Sequence, residues 1–509
     1  MSSAAHRIRR QRWELRAPDE DTAFALRAQM RKDIDNVLMP ALERAFDALD
    51  SGDEVVHLSR LSLKLKVRSL EQLAAELPAL ITEQLDEALG GAAARISGAA
   101  RRRPAATQRR MNLLHYLHRG QLDWQDLHGE VATQVATLRE AAVQLAHEWQ
   151  DDSLAMRAAL PARFVALVAF FHRFLQLLPA ALHSEWIPAM LKSAPWPESP
   201  QRRKLENWPA SQAQAGLPEH RLLQVQAIQL GMAWAERTPN DDELRSVLLA
   251  LPGIDATLMS VLGPLLDSDD GMPGGETAAQ RAPDNRNFAE SDTHVPEHDE
   301  PSTPTNANAI RTDARSQDDH PDTGSTAGQP SNDDAGIDDA GLRVHSAGLV
   351  LAHPFLSSLF AARGLLGEDG TRLSPFELPH AAALLHWLAC GREAIFEFEL
   401  GLIKPLLGLQ PTDPLPVTQG LLNAEDREEC QALLAAMVTH WPALRSTSIE
   451  GLQVSFLQRP GLLRPTDAGW QLQLESESFD LLLAQLPWSI SIVKLPWMTK
   501  PIFTDWPSP

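Results

Sequence analysis

Residues 112–120 read NLLHYLHRG and residues 383–391 read ALLHWLACG. The two phrases align without a gap, pairing Leu113 with Leu384, Leu114 with Leu385, His115 with His386, Tyr116 with Trp387, Leu117 with Leu388 and Gly120 with Gly391. Leucines at this spacing place one apolar face on a helix. A glycine just past the last turn supplies the left-handed residue that ends one. Each phrase continues through a turn into a second helical segment, closing on AHEW (146–149) in one case and VTHW (438–441) in the other. A phrase and its continuation recurring together predict a helical unit present in both halves of the chain. His115 and His386 stand inside leucine-rich helices with no carboxylate or thiolate at ligand spacing, so they read as structural histidines that hydrogen-bond across a helix pair. Cys390, next to Gly391, reads as a small apolar residue.

Between the two units the composition changes. Residues 267–341 hold 18 acidic and 4 basic residues and almost no large apolar side chains. Such a segment cannot bury enough area to offset chain entropy and reads as a disordered acidic linker, either a polar spacer or a docking tail. Most of the net charge of -21 is therefore local. A long field of negative charge repels phosphate, which argues against nucleic acid as a partner. The full 509 residues, 44% hydrophobic, suffice for two or three packed cores. Two cysteines, Cys390 and Cys430, make neither a disulfide framework nor a four-thiolate metal site. No early apolar block reads as a signal peptide and no apolar window is long enough for a membrane span, so a cytoplasmic protein is expected.

Toward the amino terminus, Ile8, Trp13 and Leu15 alternate with charged residues as in a short strand. Apolar positions from Asp33 to Leu49 follow the helical period, with Pro40 expected to bend or locally disrupt that helix. Leu61, Leu63, Leu65 and Val67 alternate with Ser62, Lys64 and Lys66 as in a half-buried strand. Ser69 is placed to cap a further helix through Leu85. Residues 1–95 thus read as a strand–helix–strand–helix α+β module. Residues 96–110, with Arg101, Arg102 and Arg103, read as a basic linker, solvated or in contact with an acidic partner. Residues 111–266 read as a helical domain. Its helices are expected over Val131–Trp149, Arg163–Leu177, Leu217–Glu236, Asp242–Leu251 and Ile254–Leu266, with an irregular proline- and tryptophan-rich crossover from Ile187 to Pro209. Phe164, Phe170, Phe171 and Phe174 read as packing residues.

Residues 342–509 read as a mostly helical domain ending in a strand hairpin and an aromatic tail. GLVLAHPFLSSLFAARGLL (348–366) is an apolar helix, and Asn423 is placed to cap the helix NAEDREECQALLAAMVTHW (423–441). Trp470, Leu472 and Leu474, then Phe479, Leu481 and Leu483, alternate as the two arms of a hairpin. Pro496, Pro501 and Pro507 argue against a regular helix or a central strand in the tail that carries Trp497, Phe503 and Trp506. The fold class expected is mainly α with small α+β elements. No phosphate-binding glycine loop, nucleophile elbow or paired-histidine metal motif occurs. His294 and His298 lie in the acidic segment, without the supporting shell a selective metal site needs. Nothing in the sequence calls for a cofactor, a metal, a small-molecule substrate or an enzymatic activity.

HRIRRQRWEL (6–15), LSRLSLKLKV (58–67), the two leucine–histidine phrases, AHPFLSSLF (352–360), HWPALRSTSIEGLQVSFLQRPGLL (440–463) and LPWSISIVKLPWMTKPIF (486–503) occur in this order. Together they resemble the tape measure protein family of contractile injection systems, the phage-tail-like particles that some bacteria build. The resemblance implies an assembly factor that sets or terminates inner-tube length and that touches inner-tube, baseplate or tube-terminating proteins. An adaptor at the baseplate or tube end, with no measuring role, is the alternative. Trp441, Gly451, Phe456, Pro460, Gly461, Pro487, Trp488, Lys494, Pro496, Trp497 and Pro501 match the family's carboxy-terminal motif. With Phe503 and Trp506 they are the candidate interaction residues. Large amphipathic rings suit an interface, and the same rings also suit a core.

Overall fold

The computed structural model describes residues 19–33, 39–47, 54–58, 79, 100–122, 130–195, 218–236, 341–367, 369–444 and 447–506. The strands expected at 8–15 and 61–67, the helices at 242–251 and 254–266, the acidic segment 267–340 and all but one residue of the helix expected at 70–85 lie outside the described residues. The described residues are mostly helical, with small sheets.

Helices α1 (Glu20–Asp33) and α2 (Met39–Asp47) come first. Asp19 starts α1 by accepting the Thr22 N–H at 2.8 Å. Pro40 stands in the first turn of α2, where a missing N–H costs nothing, so it opens the helix and does not bend it. Strands β1 (Glu54–Leu58) and β2 (Ala100–Pro104) pair antiparallel. Residues 100–110, read from sequence as linker, are instead β2 and the start of helix α3 (Ala105–Arg119). The arginine run favours a solvated linker by composition, but its backbone pairs with β1 in register from Ala100 to Pro104.

The first core is built by α3, α4 (Val131–Asp151), α5 (Ser153–Ala159), α6 (Phe164–Leu177), α7 (Ala180–Ser193) and α8 (Glu219–Trp234). Phe170, Phe171 and Phe174 are fully buried in it, and Phe164 packs at its edge. Residues 187–193, expected as irregular crossover, complete α7 with Pro188 inside the helix. Trp186 secures that helix by donating to the Ala146 carbonyl at 3.0 Å. Gly231 allows α8 to lie close on α6, because a Cβ there would meet Val168 at 2.8 Å.

The second core runs from Val344 to Trp506. It contains a 3₁₀ segment Ala347–Ala352, α9 (His353–Ala362), α10 (Leu378–Cys390), α11 (Ala424–His440) and a five-stranded sheet. Asn423 caps α11 by accepting the Asp426 N–H at 2.9 Å, and Asp426 accepts the Asn423 N–H at 2.8 Å in return. The sheet order is β3 (Leu342–Val344), β4 (Gly461–Thr466), β5 (Gly469–Leu474), β7 (Ile502–Asp505), β6 (Ile492–Val493). Two sequence expectations change here. The hairpin partner of β5 is β4, whereas Ser478–Gln485 is a 3₁₀ helix. The proline-flanked tail does enter the sheet interior: β7 runs parallel to β5, with Pro501 just ahead of the strand.

The repeated phrases occupy equivalent places. Helix α3 ends at Gly120 (φ +67°) and α10 ends at Gly391 (φ +66°). Each glycine donates its N–H to the carbonyl four residues back, Tyr116 or Trp387, at 2.7 Å. Leu384, Leu385 and Leu388 are fully buried, each worth roughly 1.5–3 kcal/mol of transfer free energy. Trp149 and Trp441, which close the two continuations, are both fully buried.

Candidate functional site

The two cores meet at a group of buried charges. The run FVALVAFFHRFLQL makes α6 apolar nearly all round, yet it carries Arg173 in its last two turns. Opposite lies AIFEFELGLIKPLL (394–407), in which Glu397, Glu399 and Lys404 interrupt an apolar stretch. Arg173 donates to Glu397 through Nε at 2.7 Å and Nη2 at 2.9 Å, a two-point pairing, and through Nη1 to the Leu117 carbonyl at 2.7 Å. Lys404 Nζ donates to Glu397 at 2.7 Å and to the Pro411 carbonyl at 3.2 Å, and the Leu415 N–H reaches Glu397 at 3.1 Å. All three charged side chains are at most 3% exposed. Burial would raise the Glu397 carboxyl, but Arg173 and Lys404 hold it down at about 2. Burial lowers the Lys404 ammonium despite that pairing.

Gly120, at the end of the first repeated phrase, is part of this junction. A Cβ there would come within 2.7 Å of the Glu397 carboxylate and 2.8 Å of Arg173, so this residue must be small as well as left-handed. Phe396 and Phe398, on either side of Glu397, enter the first core, and Phe398 meets Tyr116 edge-on at 5.8 Å. The first repeated phrase therefore packs on residues 394–407, joining the two cores.

The second phrase has a charged neighbour of its own. His386 Nε2 lies 3.2 Å from Glu399 and its Nδ1 lies 3.2 Å from the Arg392 carbonyl, an arrangement that employs both ring N–H groups of an imidazolium. Burial opposes that charge, yet bonds with Cys390 and Glu399 raise His386 to about 9. Glu399 also accepts from Arg392 at 2.5 Å and from the Phe396 N–H at 3.1 Å. The structural reading of His386 is consistent with this geometry, but its carboxylate partner comes from a later turn that no helical spacing reveals. Cys390 Sγ lies 3.5 Å from His386 Nε2 and is half-buried, with its thiol lowered by the imidazolium against the effect of burial. It is a polar neighbour of the histidine, not simply a small apolar residue.

The motif residues near the carboxy terminus divide by exposure. Trp441, Phe456, Gly461 and Trp506 are buried. Trp441 meets Phe456 at 4.9 Å and donates to the Leu482 carbonyl at 3.1 Å. Trp488, Trp497, Phe503, Gly451 and Pro501 are half-buried. Trp488 donates to the Leu351 carbonyl at 3.1 Å, and Trp497 donates to Leu406 at 2.8 Å with its ring 5.2 Å from Phe360. Trp506 lies beneath Arg459, whose guanidinium is 5.5 Å from that ring, 5.3 Å from Phe479 and 2.8 Å from Asp480. The tail thus rests on its own body. Pro460, Pro487, Lys494 and Pro496 are exposed, as are Leu481 and Ile492 nearby. Lys494 bonds the Met498 carbonyl.

Arg173, Glu397, Glu399, Lys404, Arg459 and Asp480 escaped the sequence reading. Their one available signal was charge inside apolar runs, since residues so placed are almost never buried without a partner. Among the described residues, no group of three histidine, cysteine, aspartate or glutamate side chains is arranged to hold a metal ion, and no helix is long and apolar enough to cross a membrane. Neither the curated proteins nor the solved structures supply a match to the chain. A family model described as contractile injection system tape measure protein matches residues 5–506.

Proposed function

The chain belongs to the contractile injection system tape measure protein family, and from that membership we propose that it is a non-enzymatic assembly factor that sets or terminates inner-tube length as the particle is built. The match across residues 5–506 carries this reading. The family works within tube assemblies, which gives the chain a tube-length role in general. The finer reading is that it acts in the cytoplasm during assembly and engages inner-tube, baseplate or tube-terminating proteins. The exposed motif residues Pro487, Lys494 and Pro496, together with Ile492, supply the contact surface.

One observation favours a second reading beside the first. A fully helical chain of this length would extend about 760 Å. The longest described helix, Val131–Asp151, has 21 residues and reaches only about 32 Å. Two packed cores joined through Glu397 suit a body that docks at a tube end. In that form the chain is an adaptor at the baseplate or tube end. Electron microscopy of particles from cells lacking the chain tests the proposal. Tubes of scattered length, or no tubes, are expected. A normal, single-peaked length distribution without the chain overturns it.

A further inference from the structure

A half-buried thiol stands where the second repeated phrase reaches the surface. Cys390 is the last residue of α10, and the residues after it, Gly391, Arg392, Glu393 and Ala394, are all exposed. Charged side chains gather around its sulfur. His386 Nδ1 and Nε2 lie 3.6 and 3.5 Å from Sγ. The imidazolium spends its two N–H groups on the Arg392 carbonyl and on Glu399, so what it offers the sulfur is positive charge and not a base. Arg392 brings a guanidinium from the exposed turn, with Glu399 as its carboxylate partner.

Burial alone would raise the Cys390 thiol, but the bond to His386 and the charges of His386 and Arg392 lower it. The neutral thiol donates to the His386 carbonyl at 3.1 Å, so the sulfur has a partner in either form. Cys430 is the internal contrast. It is fully buried in α11, and burial pushes its thiol up to about 12. His345, whose ring feels the charges of Glu399, Arg392 and His386, keeps a buried Nε2 with no hydrogen bond. A buried polar atom without a partner is costly, and an oxygen added to the sulfur would bring a polar atom to this cluster.

We propose that Cys390 is an oxidation site of the chain, taking an oxygen from a hydroperoxide to become a sulfenic acid. The thiolate sulfur attacks the terminal peroxide oxygen. An S–O bond forms as the O–O bond breaks, and the terminal O–H passes to sulfur. The sulfur gives up an electron pair, the peroxide is reduced, and the departing hydroxide or alkoxide takes a proton from solvent.

To test this, the full chain is treated with hydrogen peroxide beside a cyclic diketone that traps sulfenic acids, and the labelled cysteine is located by peptide mass spectrometry. Label on Cys390 and none on Cys430 is expected. Label on neither, or on both alike, overturns the proposal. Alkylation by iodoacetamide across pH is the second readout, because the midpoint of that curve does not depend on how open the site is. The Cys390 rate should level off below about pH 8.5, the ordinary thiol value. A rate still climbing above that pH overturns the proposal. Arg392 is exposed, so Arg392→Met is the variant least apt to disturb folding. It should slow alkylation near neutral pH about threefold, a roughly tenfold loss of thiolate being partly offset by a more nucleophilic sulfur. An unchanged rate in that variant overturns the role given to the charges around the thiol, and the proposal with it.

Discussion

Replacing Glu397 by glutamine keeps the shape of the side chain and removes the charge on which the junction of the two cores depends. The carboxylate takes two bonds from Arg173, one from Lys404 and one from the Leu415 N–H, at 2.7–3.1 Å. Glutamine leaves Arg173 and Lys404, each 1% exposed, as buried cations without a counter-charge. Breaking a buried pair in this way costs about 3–5 kcal/mol. Lys404 can shed its proton, a change that burial already favours, so the lower end, about 3 kcal/mol, is expected. Urea unfolding followed by tryptophan emission is the assay, because Trp149, Trp186 and Trp234 report on the first core and Trp441 on the second. A loss below about 1 kcal/mol, the size of an exposed ion pair, would refute the reasoning. Replacing Arg173, Glu397 and Lys404 together with apolar residues of similar volume should recover most of the loss, since the desolvation cost disappears with the charges.

Four other outcomes follow from the structure. His386 is held at about 9, above its ordinary 6.5, so it contributes stability that is complete below pH 6.5 and is lost as pH rises from 6.5 to 9. Glu397, held at about 2 against 4.5, behaves oppositely, its contribution being present above pH 4.5 and lost as pH falls toward 2. Urea midpoints across pH check both, and a flat profile between pH 6.5 and 9 that Glu399→Gln leaves unchanged would contradict the first. Gly348→Ala should prevent folding of the second core, because its Cβ would lie 1.6 Å from the Phe456 carbonyl oxygen; soluble protein of wild-type stability would show the contact to be absent. Trp497→Ala should cost about 2 kcal/mol, less than a fully buried tryptophan, through loss of the bond to Leu406 and the contact with Phe360. Unchanged thermal stability with weakened partner binding would instead assign that ring to an interface.

Local features of the fold were legible where local physics decides them. Gly120 and Gly391 end their helices because a left-handed residue is needed just past each last turn, and that requirement is visible beside the leucine spacing. Asn423 was recognisable as a cap for the same kind of reason. The 3₁₀ helix Ser478–Gln485 deceived the period-two rule: Phe479, Leu481 and Leu483 alternate, but Glu477 and Asp480 close a helical turn over them. Proline logic misled at Ile502, because Pro501 precedes the strand and the ladder begins one residue later. The junction was out of reach for another reason. Arg173 and Glu397 stand 224 positions apart, and spacing says nothing about partners so distant. Only the presence of a charge inside an apolar run marked either residue, and that mark names no partner.

The role in tube length is tested most directly by the length distribution of inner tubes, measured by electron microscopy in cells whose chain carries shortened or lengthened versions of residues 267–341. Length control by this chain predicts a peak that moves with the altered span while particles still assemble. The same narrow peak for every span, in fully assembled particles, would contradict it and leave the adaptor at the tube end.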